Sequence, residues 1–254
     1  MKYQFNEKEH IHTLDDKPLM GTSTVVGIIA KPLTYWASGL AVGKLGWLNP
    51  KLSTPEARKL SVETSLEQIR SMSPEDYQKL LDEAYKAHAT KLKDSAEHGT
   101  DLHAELERYV KNQMANRMAT YDEKIQPFIT WANENIKRWL WSEAHCYSEK
   151  LWVGGISDVG AELMDGSFAI IDFKSSKEAY ESQFIQIGGY ALQIEENGLF
   201  EPDGSFSMMP DKKFTQFIVV PFGAKEVIPV SRFNVEELKD GFKACVTLHK
   251  LNNK

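Results

Sequence analysis

The 254-residue chain is 42% hydrophobic and 26% charged, close to the average for globular proteins, and is long enough for one large domain or a core with an added lobe. No apolar run approaches the roughly 18–20 residues that cross a bilayer. The polar opening Met1–Glu7 lacks the apolar segment of a secretory signal, so a soluble cytoplasmic protein with no membrane partner is expected. A net charge of −6 argues against a protein that coats nucleic acid non-specifically, but not against an enzyme that gathers carboxylates around metal ions.

The first thirty residues predict a short hairpin around Asp15-Asp16, then a helix near Ser23–Ile29. Pro32 opens an apolar stretch containing Trp36, Leu40 and Trp47. Thr54-Pro55-Glu56 and Ser73-Pro74-Glu75-Asp76 each place a capping hydroxyl, a first-turn proline and an acid in order. They predict helices over 54–70 and 74–92, followed by a third over roughly 95–115. Pro127 introduces another helix, carrying Phe128, Trp131, Ile136 and Trp139.

From Ala144 to Phe173 the pattern changes to strands, with a turn at Asp165-Gly166. A helix over about 180–197 ends at Asn197-Gly198, strands follow at Phe214–Pro221 and Glu226–Val230, and Asn234-Val235-Glu236-Glu237 starts a C-terminal helix. The expected fold class is α/β (α+β): a mainly helical region over 1–95 and a core over 96–254 with a mixed central sheet flanked by helices. Cys146 and Cys245 form no C-x-x-C pair and are expected as free buried thiols. Two cysteines cannot supply the four thiolates of a usual iron–sulfur cluster, and the seven histidines show no zinc-ligand spacing around either.

In a hairpin turned at Asp165-Gly166, Asp158 and Asp172 lie about equally far from the turn and so come close across the pair. Strand alternation puts Asp172 and Lys174 on one face and Phe173 on the other. Two carboxylates and an ammonium at a strand pair suit a magnesium ion that binds phosphate and lowers the pKa of a water, with lysine stabilising charge on the phosphoryl oxygens. The plainer alternative is a cross-strand salt bridge worth roughly 0.2–1 kcal/mol.

Gly155-Ile156-Ser157-Asp158, followed by a hairpin and Asp172-Phe173-Lys174-Ser175, resembles the catalytic core of the PD-(D/E)XK nucleases, in particular their RecB-like exonuclease branch. His98-Gly99-Thr100-Asp101-Leu102-His103 resembles the branch's upstream G-T-x-x-H segment, and Gln186-Ile187-Gly188-Gly189-Tyr190 its downstream Q-x-x-x-Y motif. The four motifs span 98–190 in the family's order. Leu14–Leu19 and the helix after it are similar to phage-encoded members and to mitochondrial genome-maintenance exonucleases.

The resemblance implies a restriction-endonuclease-like core and a magnesium-dependent DNA exonuclease of recombination, repair or replication, bacterial or phage-encoded. Manganese would substitute and calcium would bind without turnover. The substrate would be DNA, single-stranded or with a free end, and a recombination or replication protein would be a further partner. By the same resemblance, His103, Asp158, Asp172 and the Phe173 carbonyl would hold metal, Lys174 would assist the water, and Gln186 and Tyr190 would contact substrate. Ser175 and Lys177, just past Lys174, would reach the substrate backbone or be plain exposed side chains. A nuclease of CRISPR spacer acquisition and a non-catalytic DNA-binding protein with the same fold are the alternatives.

Several of these residues have a structural reading as well. His103 and Glu107 share a helix face and would make a surface pair; Gln183, Gln186, Tyr190 and Gln193 would form the polar stripe of an amphipathic helix. Glu143 and Glu149, upstream of the Gly-x-x-Asp strand, would be accessory acids or solvent-facing carboxylates. Helical spacing assigns Trp131 and Trp139 to core packing rather than to base stacking.

Overall fold

The computed structural model describes residues 2–30, 34–223 and 225–253, with the side chains of 94–100 outside that description. The chain divides into two units, Met1–Ala30 with Gly99–Lys254, and Lys31–His98. The sequence reading groups the first thirty residues with the helices at 31–95; the contacts group them with the core.

Strands β1 (Tyr3–Asn6), β2 (Ile11–Leu14) and β3 (Lys17–Pro18) form a three-stranded antiparallel sheet. The expected hairpin turns at Asp15 and Asp16, which both adopt positive φ, a region that Asp tolerates better than most residues. Strand β4 (Met20–Gly21) and helix α1 (Thr22–Val26) follow.

In the second unit lie α2 (Thr34–Gly43), α3 (Pro55–Arg70) and the beginning of α4 (Pro74–Met114). Thr54 Oγ1 accepts a hydrogen bond from the Ala57 N–H at 3.2 Å, and Ser73 Oγ one from the Asp76 N–H at 3.1 Å. Both expected caps are therefore formed. The two helices expected over 74–92 and 95–115 are a single one, since no proline interrupts a run rich in strong helix formers.

The core continues with α5 (Gln126–Asn135), β5 (Ile136–Ser148), β6 (Val153–Leu163), β7 (Phe168–Lys174), α6 (Glu181–Asn197), β8 (Leu199–Phe200), β9 (Phe206–Met208), β10 (Phe214–Pro221), β11 (Val230–Arg232) and α7 (Val235–Asn252). Ile136 and Trp139, expected on the Pro127 helix, belong to β5 instead: the helix stops at Asn135, whose side chain donates to the Trp131 carbonyl at 2.8 Å. The last strand begins at Val230 rather than spanning 226–230.

The fold is α+β. Its main sheet runs β11-β10-β7-β6-β5-β8-β9, with β4 added beside β6. Pairing is antiparallel except at β10–β7 and β4–β6, which are parallel. Period-two alternation supplies two core layers. Val159, Ile171, Phe173 and Val220 pack with Leu106, Tyr109 and Phe128 of α4 and α5. Ile170, Phe217 and Val219 pack with Trp141, Phe184, Ile187 and Leu238, largely from α6 and α7.

Candidate metal centre

The β6–β7 hairpin is set by its turn. Gly166 takes φ 81°, a conformation open to glycine, and the Ser167 N–H and hydroxyl both donate to Asp165 Oδ1. The resulting register pairs Gly160 with Ile170 and Val159 with Ile171. Continued by one residue, it brings Asp158 beside Asp172. Asp158 Oδ2 accepts the Phe173 N–H at 2.7 Å, so its carboxylate bridges the two strands just where their ladder ends.

Lys174 Nζ lies 2.6 Å from Asp172 Oδ2, an ion pair on one face of β7, while the Phe173 ring enters the opposite core layer. The backbone of Phe173, expected to offer its carbonyl to metal, sits opposite Val220 in the β7–β10 ladder.

His103 reaches the same place from α4. Its ring stands edge-on to Phe173, with centroids 5.7 Å apart, and its Nε2 is 3.0 Å from Glu143 Oε1. Glu107, considered above as its neighbour on the helix face, pairs with Lys111 instead. His103, Glu143 and Asp158 form a half-buried group whose ligand atoms all lie within 4.8 Å of one another. Two carboxylates and an imidazole suit a divalent cation.

Asp172 stands beside this group rather than in it. It is 1% exposed; its Oδ2 is paired at 2.6 Å with the Lys174 ammonium, and its Oδ1 has no partner among the described residues. Buried carboxylate oxygens are rarely left so, and a cation bound nearby would relieve them.

The electrostatics follow from this crowding. Burial raises the pKa of both Asp158 and Asp172 above the ordinary carboxylate range, while Lys174 and His103 oppose the shift. Burial pulls the Lys174 ammonium down, but Asp172 and Asp158 outweigh it and hold the pKa above that of an ordinary lysine. His103 behaves alike: desolvation lowers it, and Glu143 with the two aspartates raises it further than that.

The apolar stripe of α6 packs on the sheet, and of its polar stripe Tyr190 lies against β6. Tyr190 is 5% exposed, and a Cβ placed on Gly155 of β6 would come within 2.7 Å of its ring. Its hydroxyl receives the Gln186 Nε2–H at 2.7 Å, and burial, with Asp172 and Asp158 nearby, raises its pKa well above normal. Gln193, fully buried, donates to Thr22 Oγ1 at 2.8 Å and fastens α6 to α1. Ser175 and Lys177 are exposed on the loop after β7 and line no part of the cavity at His103, Glu143 and Asp158; Glu149 is exposed in the β5–β6 turn. Gly99 and Thr100 of the upstream motif lie outside the described side chains.

Glu143 is the residue whose importance the sequence understates. It adopts φ 54° inside β5, a left-handed conformation costing a non-glycine residue roughly 1–2 kcal/mol. Such strain persists where the surroundings impose it and clusters at functional sites. A strand glutamate carries no sign of this in its letter.

No protein-family model matches the chain, and no curated protein matches it.

Proposed function

We propose that this protein is a divalent-metal-dependent deoxyribonuclease of the PD-(D/E)XK type, of the RecB-like exonuclease branch, hydrolysing DNA from a free end. The observation carrying this reading is the convergence of Asp158, Asp172 and Lys174 at the open end of the β6–β7 ladder, with His103 and Glu143 beside them. A salt bridge on a solvated hairpin needs neither an Asp172 buried to 1% exposure nor a strained glutamate turned towards a histidine.

His103, Glu143 and Asp158 would hold a magnesium or manganese ion, with Asp172 adjacent. Such an ion supplies Lewis-acid activation of the phosphate and a water of lowered pKa. Lys174, kept charged by Asp172, offsets negative charge developing on the phosphoryl oxygens. The Phe173 N–H orients Asp158 through its 2.7 Å hydrogen bond. Gln186 holds the Tyr190 hydroxyl in place beside the same strand. Work in recombination, repair or replication, in a bacterial cytoplasm and encoded by the cell or a phage, accords with this activity. Among the described residues no single helix is long and apolar enough to cross a membrane.

End-labelled single- and double-stranded DNA incubated with magnesium or manganese tests the proposal. Cleavage should fall by about 10²–10³-fold in Asp158→Ala and in Lys174→Ala, and covalently closed circles should resist. Full activity in either variant refutes the assignment; efficient cutting of closed circles removes end dependence.

A further inference from the structure

The metal group opens into a cavity of about 420 Å³ that extends along β6 past Gly155 and Gly154 to a wall made by residues 10–24. Its position follows from the sheet. One edge of β6 pairs with β4 at Val153 and Gly154 and with β7 from Val159 to Glu162. Between those ladders, at 155–158, no described strand pairs with that edge. The sheet forks there, and the cavity occupies the fork.

The wall is fitted tightly onto β6. A Cβ on Gly154 would meet the His12 Cβ at 2.8 Å, and one on Gly155 would meet Thr22 Oγ1 at 2.6 Å, so both glycines are needed for the close approach. Thr22 is spent on structure: its hydroxyl donates to the Gly154 carbonyl at 3.0 Å and accepts from Gln193. Its neighbours are not. Ser23 and Thr24 line the cavity with exposed side chains whose hydroxyls make no hydrogen bond to a described residue, and exposed His10 stands with them.

We infer that this cavity is the seat of the sugar-phosphate backbone next to the scissile bond, with Ser23, Thr24 and His10 as its phosphate contacts. The inference rests on the nuclease reading and deepens it: the N-terminal segment is part of the substrate site. Neutral hydroxyls and unpaired backbone groups are the donors that commonly fix a nucleic-acid backbone without reading sequence. The volume falls within the roughly 300–1,000 Å³ of small-ligand sites, and metal ligands at one end with hydroxyls at the other suit a chain of phosphates.

The test is equilibrium binding of fluorescein-labelled (dT)₈ in calcium, with manganese affinity measured calorimetrically and cleavage assayed in magnesium. The double variant Ser23→Ala/Thr24→Ala, and separately Ser23→Glu, should weaken (dT)₈ binding and raise KM by about tenfold. In Ser23→Ala/Thr24→Ala, manganese affinity should be unchanged and kcat should move less than about threefold. Both positions are exposed, so the variants keep the fold. If the wild type cleaves and the variants bind as it does, the inference alone falls. If the wild type binds (dT)₈ through these residues without cleaving any DNA, the cavity is a backbone-binding site with no scissile bond beside it, and the nuclease reading falls. If the wild type neither binds nor cleaves, both fall.

Discussion

Glu143 meets His103 at 3.0 Å across forty residues of sequence, and it does so from a backbone held at φ 54° in the middle of a strand. From that left-handed backbone its carboxylate stands within 4.8 Å of the ligand atoms of both His103 and Asp158. The pair therefore joins two costs, backbone strain and like charge beside Asp158, and both make sense if a cation is to be held there.

That strain can be isolated from the lost carboxylate. Glu143→Ala and Glu143→Gly remove the same ligand, but only glycine accepts positive φ freely. Chemical denaturation in metal-free buffer should find Glu143→Gly the more stable of the two by about 1 kcal/mol. Both should show a weaker rise of Tm with manganese than the wild type. Equal stability of the two variants would mean that the kink carries no strain.

Lys174 should separate metal binding from turnover. It is a cation 2.6 Å from Asp172, so Lys174→Met removes positive charge next to the proposed cation site. Manganese affinity measured by calorimetry should hold or increase, while cleavage falls by about 10²-fold or more. A loss of both together would point to collapse of the site instead.

His12 provides a pH signature read in stability rather than in turnover. It is 5% exposed, lies against Phe5 and His145, and has its Nδ1 2.6 Å from the Tyr3 hydroxyl. Burial, with His145 and His10 nearby, lowers its pKa from 6.5 to about 3. The imidazole thus stays neutral when folded but takes up a proton near pH 6.5 when unfolded. The stability it contributes is complete above pH 6.5 and is lost as pH falls towards about 3. Between pH 6 and 4, stability should decline by up to about 1.4 kcal/mol per pH unit on this account. His12→Gln should show a flatter decline in Tm over the same range, and an unchanged slope would remove His12 as the cause.

Gly160 should be intolerant of any side chain. A Cβ there would lie 2.1–2.3 Å from three atoms of the Trp141 ring, inside a core layer where Trp141 is 4% exposed. Gly160→Ala should destabilise by roughly 1–3 kcal/mol or more, as overpacking does. Adding Trp141→Leu should recover part of that loss in urea unfolding, since the collision would be gone.

The local features of this protein were legible before any coordinates. Thr54-Pro55 and Ser73-Pro74 cap their helices as expected, Asp165-Gly166 turns the hairpin, and Asp172-Phe173-Lys174 alternates between faces. Each depends on neighbours a few residues away, where spacing and backbone chemistry suffice. The β5 boundary was misplaced because Ile136 and Trp139 are bulky apolar residues at a spacing a helix also satisfies.

What required the tertiary structure is whatever joins distant segments. The residues alone put Asp158, Asp172 and Lys174 together, because one hairpin and a period of two decide it. They did not say that Glu143 completes a group with His103, that β4 lies beside β6 and leaves its edge open at 155–158, or that Ser23 and Thr24 line the resulting cavity. Those relationships depend on backbone conformation at a single residue and on pairings across more than a hundred positions, and neither leaves a periodic trace in the order of the amino acids.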